Sequence, residues 1–302
     1  MEQNAELGDF LRARRARLSP ADAGVAPSGA TRRVPGLRRE EVAHLAGVSP
    51  DYYTRLEQGR HPNVSEAVLD AVARALRLDD DERAHLLDLA RPRTARPGRR
   101  PERVQRARPE VHRMLEVLNG VTPAFVANHR QDVLAANPLA RALITDWDAL
   151  PYRERNFARY VLLDPAARAL YLNWEEVAER VVADLRLVSG RHPDDTRLNE
   201  LIGEAVVKVP ECAGWWRSHR VAVCAHGTQR FQHPVVGELT LHHETLALPS
   251  DPHQTVCVYT AEPGSASAEA LALLASWSAP DTAPDARGAS RAYRPDDGVR
   301  PE

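Results

Sequence analysis

Residues 47–60, "GVSPDYYTRLEQGR", decide how the front of this chain is read. Gly47 suits the left-handed end of a helix, where a side chain would cost energy. Ser49 is a favourable N-cap, and Pro50 takes the first helical position, where a missing N–H costs nothing. The pattern predicts a helix over 50–58 that stops at Gly59. Tyr53 and Leu56 are spaced to face a core, which turns Pro50, Asp51, Tyr52, Thr54 and Arg55 outward. A preceding helix is expected over 38–46, with Val42, Ala43 and Ala46 inward beside Leu45.

Two helices joined by a short glycine turn make a helix-turn-helix. Its second helix enters the DNA major groove with its N-terminal residues near the bases. There Asp51 could accept from a cytosine amino group, Arg55 could take guanine or a phosphate, and Thr54 could touch a thymine methyl. Ser49, Pro50 and Tyr52 complete the candidate surface, while Arg38 and Arg39 suit backbone phosphates. The bland alternatives are a helix-dipole acid for Asp51 and an ion pair with an acid such as Glu57 for Arg55.

Working outward, Leu7, Phe10, Leu11 and Leu18 predict a first helix over 6–18. Ser65 caps a fourth helix, and Asp79 with Glu82 opens a fifth through Ala90. Residues 1–90 therefore read as an all-α domain of five helices. Residues 91–108, rich in Arg and Pro, read as a linker: either a solvated spacer or a source of extra phosphate contacts. Residues 1–108 hold 21 Arg and 16 acidic residues, a net of +5. The remainder carries 40 − 21 = 19 basic and 42 − 16 = 26 acidic residues, a net of −7. A basic front joined to an acidic back fits a DNA-binding front.

Residues 109–278 read as an α+β domain with an antiparallel sheet, in an order like that of PAS-type sensors. Helices are expected near 155–163, 173–189, 195–207, 210–218 and 267–277. Strands are expected around 122–135, at 220–226, across a bent or paired 230–247, and at 255–261. Residues 279–302 carry a composition typical of disorder. The apolar face of "NWEEVAERVVADLRLVSGR" is core or dimer surface.

No apolar run approaches the roughly 20 residues of a membrane span. The start lacks secretory features and three cysteines form no disulfide framework, so a cytoplasmic protein without membrane contact is expected. Histidines are plentiful, yet metal-ligand and catalytic spacings are missing. The expectation is no metal, no cofactor and no enzyme activity.

The stretch "LRREEVAHLAGVSPDYYTRLEQGR" (37–60) resembles the lambda-repressor-like helix-turn-helix. With "LRLDDDERAHLLDLA", "NPLARAL", "GRHPDD", "HPVVGELTLHHETLALP" and "VYTAEPGS", the chain resembles the MmyB-like bacterial transcriptional regulators over roughly 7–277. That resemblance implies a DNA-binding front and a PAS-like back that accommodates a fatty-acid-like ligand. Asn137 and Trp216 are candidate ligand residues, and Arg155, His219 or Arg220 could receive a carboxylate at a pocket mouth. Ala136 and Ala213 stand where the family pattern favours Trp and Phe, which would enlarge a pocket lined by either. A homodimer on a two-fold symmetric operator is expected, because one recognition helix reads too few base pairs. The competing view is that the back domain serves only dimerisation or protein contacts.

Overall fold

A computed structural model describes residues 2–25, 35–60, 64–91 and 105–278. The disorder expected for 279–302, and most of the linker, lie outside the described residues. The front is built from α1 (Glu2–Arg17), α2 (Arg39–Ala46), α3 (Pro50–Glu57), α4 (Glu66–Ala75) and α5 (Asp80–Ala90). Its ends form as the local chemistry dictates. Gly47 takes φ 68°, and the Ser49 hydroxyl accepts the Tyr52 N–H at 3.1 Å. The Asp79 carboxylate accepts the Glu82 N–H at 2.8 Å, and Glu82 accepts the Asp79 N–H at 3.3 Å. Leu7, Phe10 and Leu11 of α1 are buried with Val42, Tyr53, Leu56, Val72 and Leu86 in one core. A Cβ on Gly8 would lie 2.3 Å from the Glu57 carbonyl oxygen, so only glycine lets α1 approach the end of α3. Leu45 differs from expectation: with Val42, Ala43 and Ala46 turned inward, it is exposed.

The back contains α6 (Pro109–Leu118), β1 (Ala124–Asn128), β2 (Val133–Ala136) and α7 (Pro138–Leu143). Then come α8 (Phe157–Leu163), α9 (Pro165–Leu170), α10 (Trp174–Arg191), α11 (Thr196–Lys208) and α12 (Pro210–Arg217). The chain closes with β3 (His226–His233), β4 (Gly237–Ala247), β5 (Gln254–Thr260) and α13 (Ala266–Ser278). All strand pairs are antiparallel, in the order β2-β1-β5-β4-β3, a PAS-like α+β domain. Alternation along the strands sorts the two faces. Phe125, Phe231, Leu239, Leu241, Cys257 and Tyr259 join the large core beneath α7–α13. Ala124, Val126 and Val256 pack instead on Val111 and Leu115 of α6.

Two expectations need correction. Residues 220–225 form no strand, and the linker as drawn ends too late. Residues 105–108 dock on the back domain: Ala107 is buried, Gln254 donates to the Arg106 carbonyl at 3.2 Å, and Arg108 pairs with Asp251 at 2.5 Å. The apolar face of α10, with Val177, Val181, Val182 and Leu185, is core.

The front and back also share a core. Leu187 of α10 and Val221 are buried among the side chains of the helical front. His85 of α5 fits against Gly190, where a Cβ would lie 2.7 Å from its ring. Around this junction Arg191 pairs with Asp88 at 3.0 Å, and the Val223 N–H donates to Asp81 at 2.9 Å. Arg14 joins Glu82 and the His219 carbonyl.

Candidate DNA-reading helix and ligand cavity

On α3, Tyr53, Leu56 and Glu57 are buried, while Ser49, Pro50, Asp51, Arg55 and Gln58 are exposed and Tyr52 and Thr54 half-buried. The helix therefore presents Asp51, Thr54, Arg55 and Gln58 along one face. Gln58 was not among the candidates, although its position four residues after Thr54 repeats the helical period. Glu57 makes no pair with Arg55. It accepts from Arg15 at 2.8 and 2.9 Å and from Arg39 at 2.9 and 3.0 Å, tying α1, α2 and α3 together. Burial would raise the Glu57 pKa, but the bonds and charges of Arg15 and Arg39 outweigh this and hold it below its ordinary value. Arg39 thus has a structural partner as well as a half-exposed position at the start of α2. Arg38 is the N-cap of α2, where its N–H donates to Glu41 at 2.6 Å.

The back holds a cavity of about 220 Å³ between the inner sheet face and helices α8 and α10. Phe125, Ala127, Phe157, Leu187, Val188, Cys257 and Tyr259 supply its apolar lining. Gln131, Asp184, Cys224, Gln229 and His243 supply a polar wall, and His129, Arg191 and His253 also line it. Burial raises the Asp184 carboxyl above its ordinary value and pushes the Cys224 and Cys257 thiols up to about 12. Burial, with the Arg180 charge second, lowers His243 to about 4.

None of the five ligand candidates lines this cavity. Asn137 is the buried N-cap of α7; its oxygen accepts from Ala140 and Ala124, and its amide donates to the Thr122 carbonyl. Arg155 braces the preceding loop through the Leu150 and Asp148 carbonyls. Trp216 and His219 sit at the junction with the front. Arg186 stacks 4.0 Å above the Trp216 ring and meets His219 Nδ1 at 3.1 Å. Burial, then the Arg186 charge, lowers His219 to about 4. Arg220 is tied to Glu179 at 2.9 Å. Ala136 and Ala213 do not line the cavity either.

His129, His192 and His253 cluster with ring centroids 4.4–5.7 Å apart, and His129 bonds Asp195 at 2.9 Å. Among the described residues no group of His, Cys, Asp or Glu has metal-holding geometry, and no helix is long and apolar enough to cross a membrane.

Comparison with known families agrees with this division of the chain. Residues 6–86 match a helix-turn-helix domain, and residues 107–274 match the MmyB-like transcription regulator ligand binding domain. No curated protein gives a significant match. The second match covers more than half of the 302 residues, and the fold carries both parts: the chain belongs to the MmyB-like transcription regulators, with a DNA-binding helix-turn-helix domain followed by a ligand-binding domain.

Proposed function

We propose that this protein is a cytoplasmic, sequence-specific regulator whose DNA affinity is set by a small, largely apolar ligand in the cavity above α10. One observation carries this reading. Leu187 lines the cavity and is also buried in the core of the DNA-binding front. Two further lining residues, Arg191 and Val223, bond to Asp88 and Asp81 of α5. A ligand that moves α10 therefore moves a surface on which the helix-turn-helix is built. It shifts DNA binding only by its differential affinity for two states, and an effect of tens-fold needs roughly 2 kcal/mol of coupling.

On DNA, α3 reads bases through Asp51, Thr54 and Arg55, with Gln58 able to pair with adenine. Arg38 and Arg39 meet phosphates. Binding is as a homodimer to a two-fold symmetric site, because one helix reads too little sequence. The role proposed for the cavity is binding without catalysis; burial raises its Cys224 and Cys257 thiols, which keeps them protonated and poorly nucleophilic.

The test begins with an operator selected from random duplexes by the full chain. The protein is then stripped of bound lipid and titrated with medium- and long-chain apolar ligands while operator binding is followed. At least one ligand should change DNA affinity, and sedimentation should show a dimer on the operator. Unchanged DNA affinity with ligand bound would reduce the back domain to dimerisation or protein contacts.

A further inference from the structure

The cavity wall selects among ligand chemistries. Arg191 is the only arginine or lysine among the described lining residues, and its guanidinium is paired with Asp88 at 3.0 Å. Two carbonyl oxygens in the cavity wall lack donors. Gln131 donates its amide to Asp184 at 2.6 Å, which leaves its oxygen buried without a partner. The Gln229 amide nitrogen lies 3.4 Å from His243 Nδ1, and its oxygen is likewise buried and unpartnered. Gln229 is 2% exposed, on the inward side of β3. Buried acceptors without donors are unfavourable, and a ligand donor removes that penalty.

Resting on the ligand-binding role argued above, we propose that the cavity takes a small ligand with an apolar body and an uncharged hydrogen-bond donor, an amide or hydroxyl, directed at the oxygens of Gln229 and Gln131. Phe125, Phe157 and Val188 hold the body. A carboxylate placed against these two oxygens meets acceptors where it needs donors, and the one guanidinium in the lining is already engaged by Asp88. The displaced values of Asp184, His243, Cys224 and Cys257 all run in the direction that disfavours charge there. The volume, about 220 Å³, exceeds the roughly 150 Å³ that accommodates benzene and so suits a medium-length chain or a small ring system.

Calorimetry on the delipidated full chain at about pH 8 separates the headgroups, using octanamide, 1-octanol, octanoate and octylamine. The amide and alcohol should bind about tenfold tighter than the two ions. Gln229→Leu and Gln131→Leu are made separately, each checked for folding by circular dichroism, and should each erase most of that preference. Octanoate or octylamine binding as tightly as octanamide overturns the headgroup inference and leaves ligand sensing intact. A preference unchanged in both variants overturns it too. Failure of all four probes to bind removes the inference together with the ligand-sensing reading of this cavity.

Discussion

Two acids in this molecule sit in opposite environments. Glu57, at the end of the recognition helix, has no exposed surface and accepts from Arg15 and Arg39. Asp184, in the cavity wall, receives only the neutral donors of Gln131 and the Cys224 N–H. Burial acts on both in the same direction, yet the Glu57 pKa is lowered and the Asp184 pKa is raised. The difference is the charged partner. The front fixes α3 with compensated charge, whereas the back leaves a buried acid with neutral donors alone.

The largest effect should come from breaking the compensated site. Glu57→Ala leaves the half-buried Arg15 and its neighbour Arg39 without their shared partner. The expected loss is roughly 3–5 kcal/mol in urea denaturation of the front. Asp184→Asn should change stability by less than about 1 kcal/mol, because an amide oxygen still accepts from Gln131 and no charge is lost from a pair. Similar losses for the two variants would end the contrast drawn above.

Next in size is the junction. Gly190→Ala places a Cβ 2.7 Å from the His85 ring, and His85 cannot retreat because it is fully buried against Phe10 at 5.1 Å. Overpacking of this kind costs roughly 1–3 kcal/mol. Its informative readout is the ligand effect on operator affinity, which should shrink while ligand affinity itself changes less. An undiminished ligand effect would show that α10 and α5 do not transmit it.

The reading surface comes third. Arg55→Ala should shift base preference, with roughly 1–3 kcal/mol lost at the base it contacts. Arg39→Ala should weaken binding on all sequences and flatten the salt dependence, while Glu57 keeps Arg15 as its partner. A selected site identical to wild type for Arg55→Ala removes that residue from readout.

These regions also differed in how far they could be read from sequence. The helix-turn-helix was legible because its determinants are local: Gly47, Ser49 and Pro50 set the turn and the helix start within four residues. Leu45 was misplaced because two neighbouring helical faces compete and only one meets the core. Residues 220–225 carry strand-like alternation through Val221 and Val223, but the backbone N–H groups of Val223 and Cys224 go to side chains. Val223 donates to Asp81 and Cys224 to Asp184, so the ladder with β4 begins only after them. The cavity was illegible residue by residue, since its wall gathers from β1, β3–β5, α8, α10 and the loops between. A signal was present in Gln229 and His243, polar residues at inward strand positions beside Phe231 and Leu241. Trp216 and His219, chosen for a pocket, instead clamp Arg186 at the junction.

The smallest effect concerns acid, and it tests the junction from the side of α5. His85 has both ring nitrogens buried without partners, next to Gly190. Burial first, then the charges of Arg186, Arg14, Arg191 and His219, lowers its pKa from 6.5 to about 3. The folded state therefore binds this proton less readily than the unfolded chain. The stability linked to His85 is intact above about pH 6.5 and is lost progressively as pH falls toward 3. Between about pH 7 and 5.5 the loss from this one group is about 1 kcal/mol. Glu57, whose pKa is also lowered, adds its own loss only below about 4.5, so the two steps separate in pH. Urea midpoints across this range should fall for the wild type, and His85→Gln, which cannot titrate, should flatten the upper part of the curve. His192, His219 and His243, each lowered to about 4, continue to titrate in that variant and set the residual slope. An unaltered slope in His85→Gln would mean that the ring is solvated in solution, and that α5 and α10 do not close on it as described.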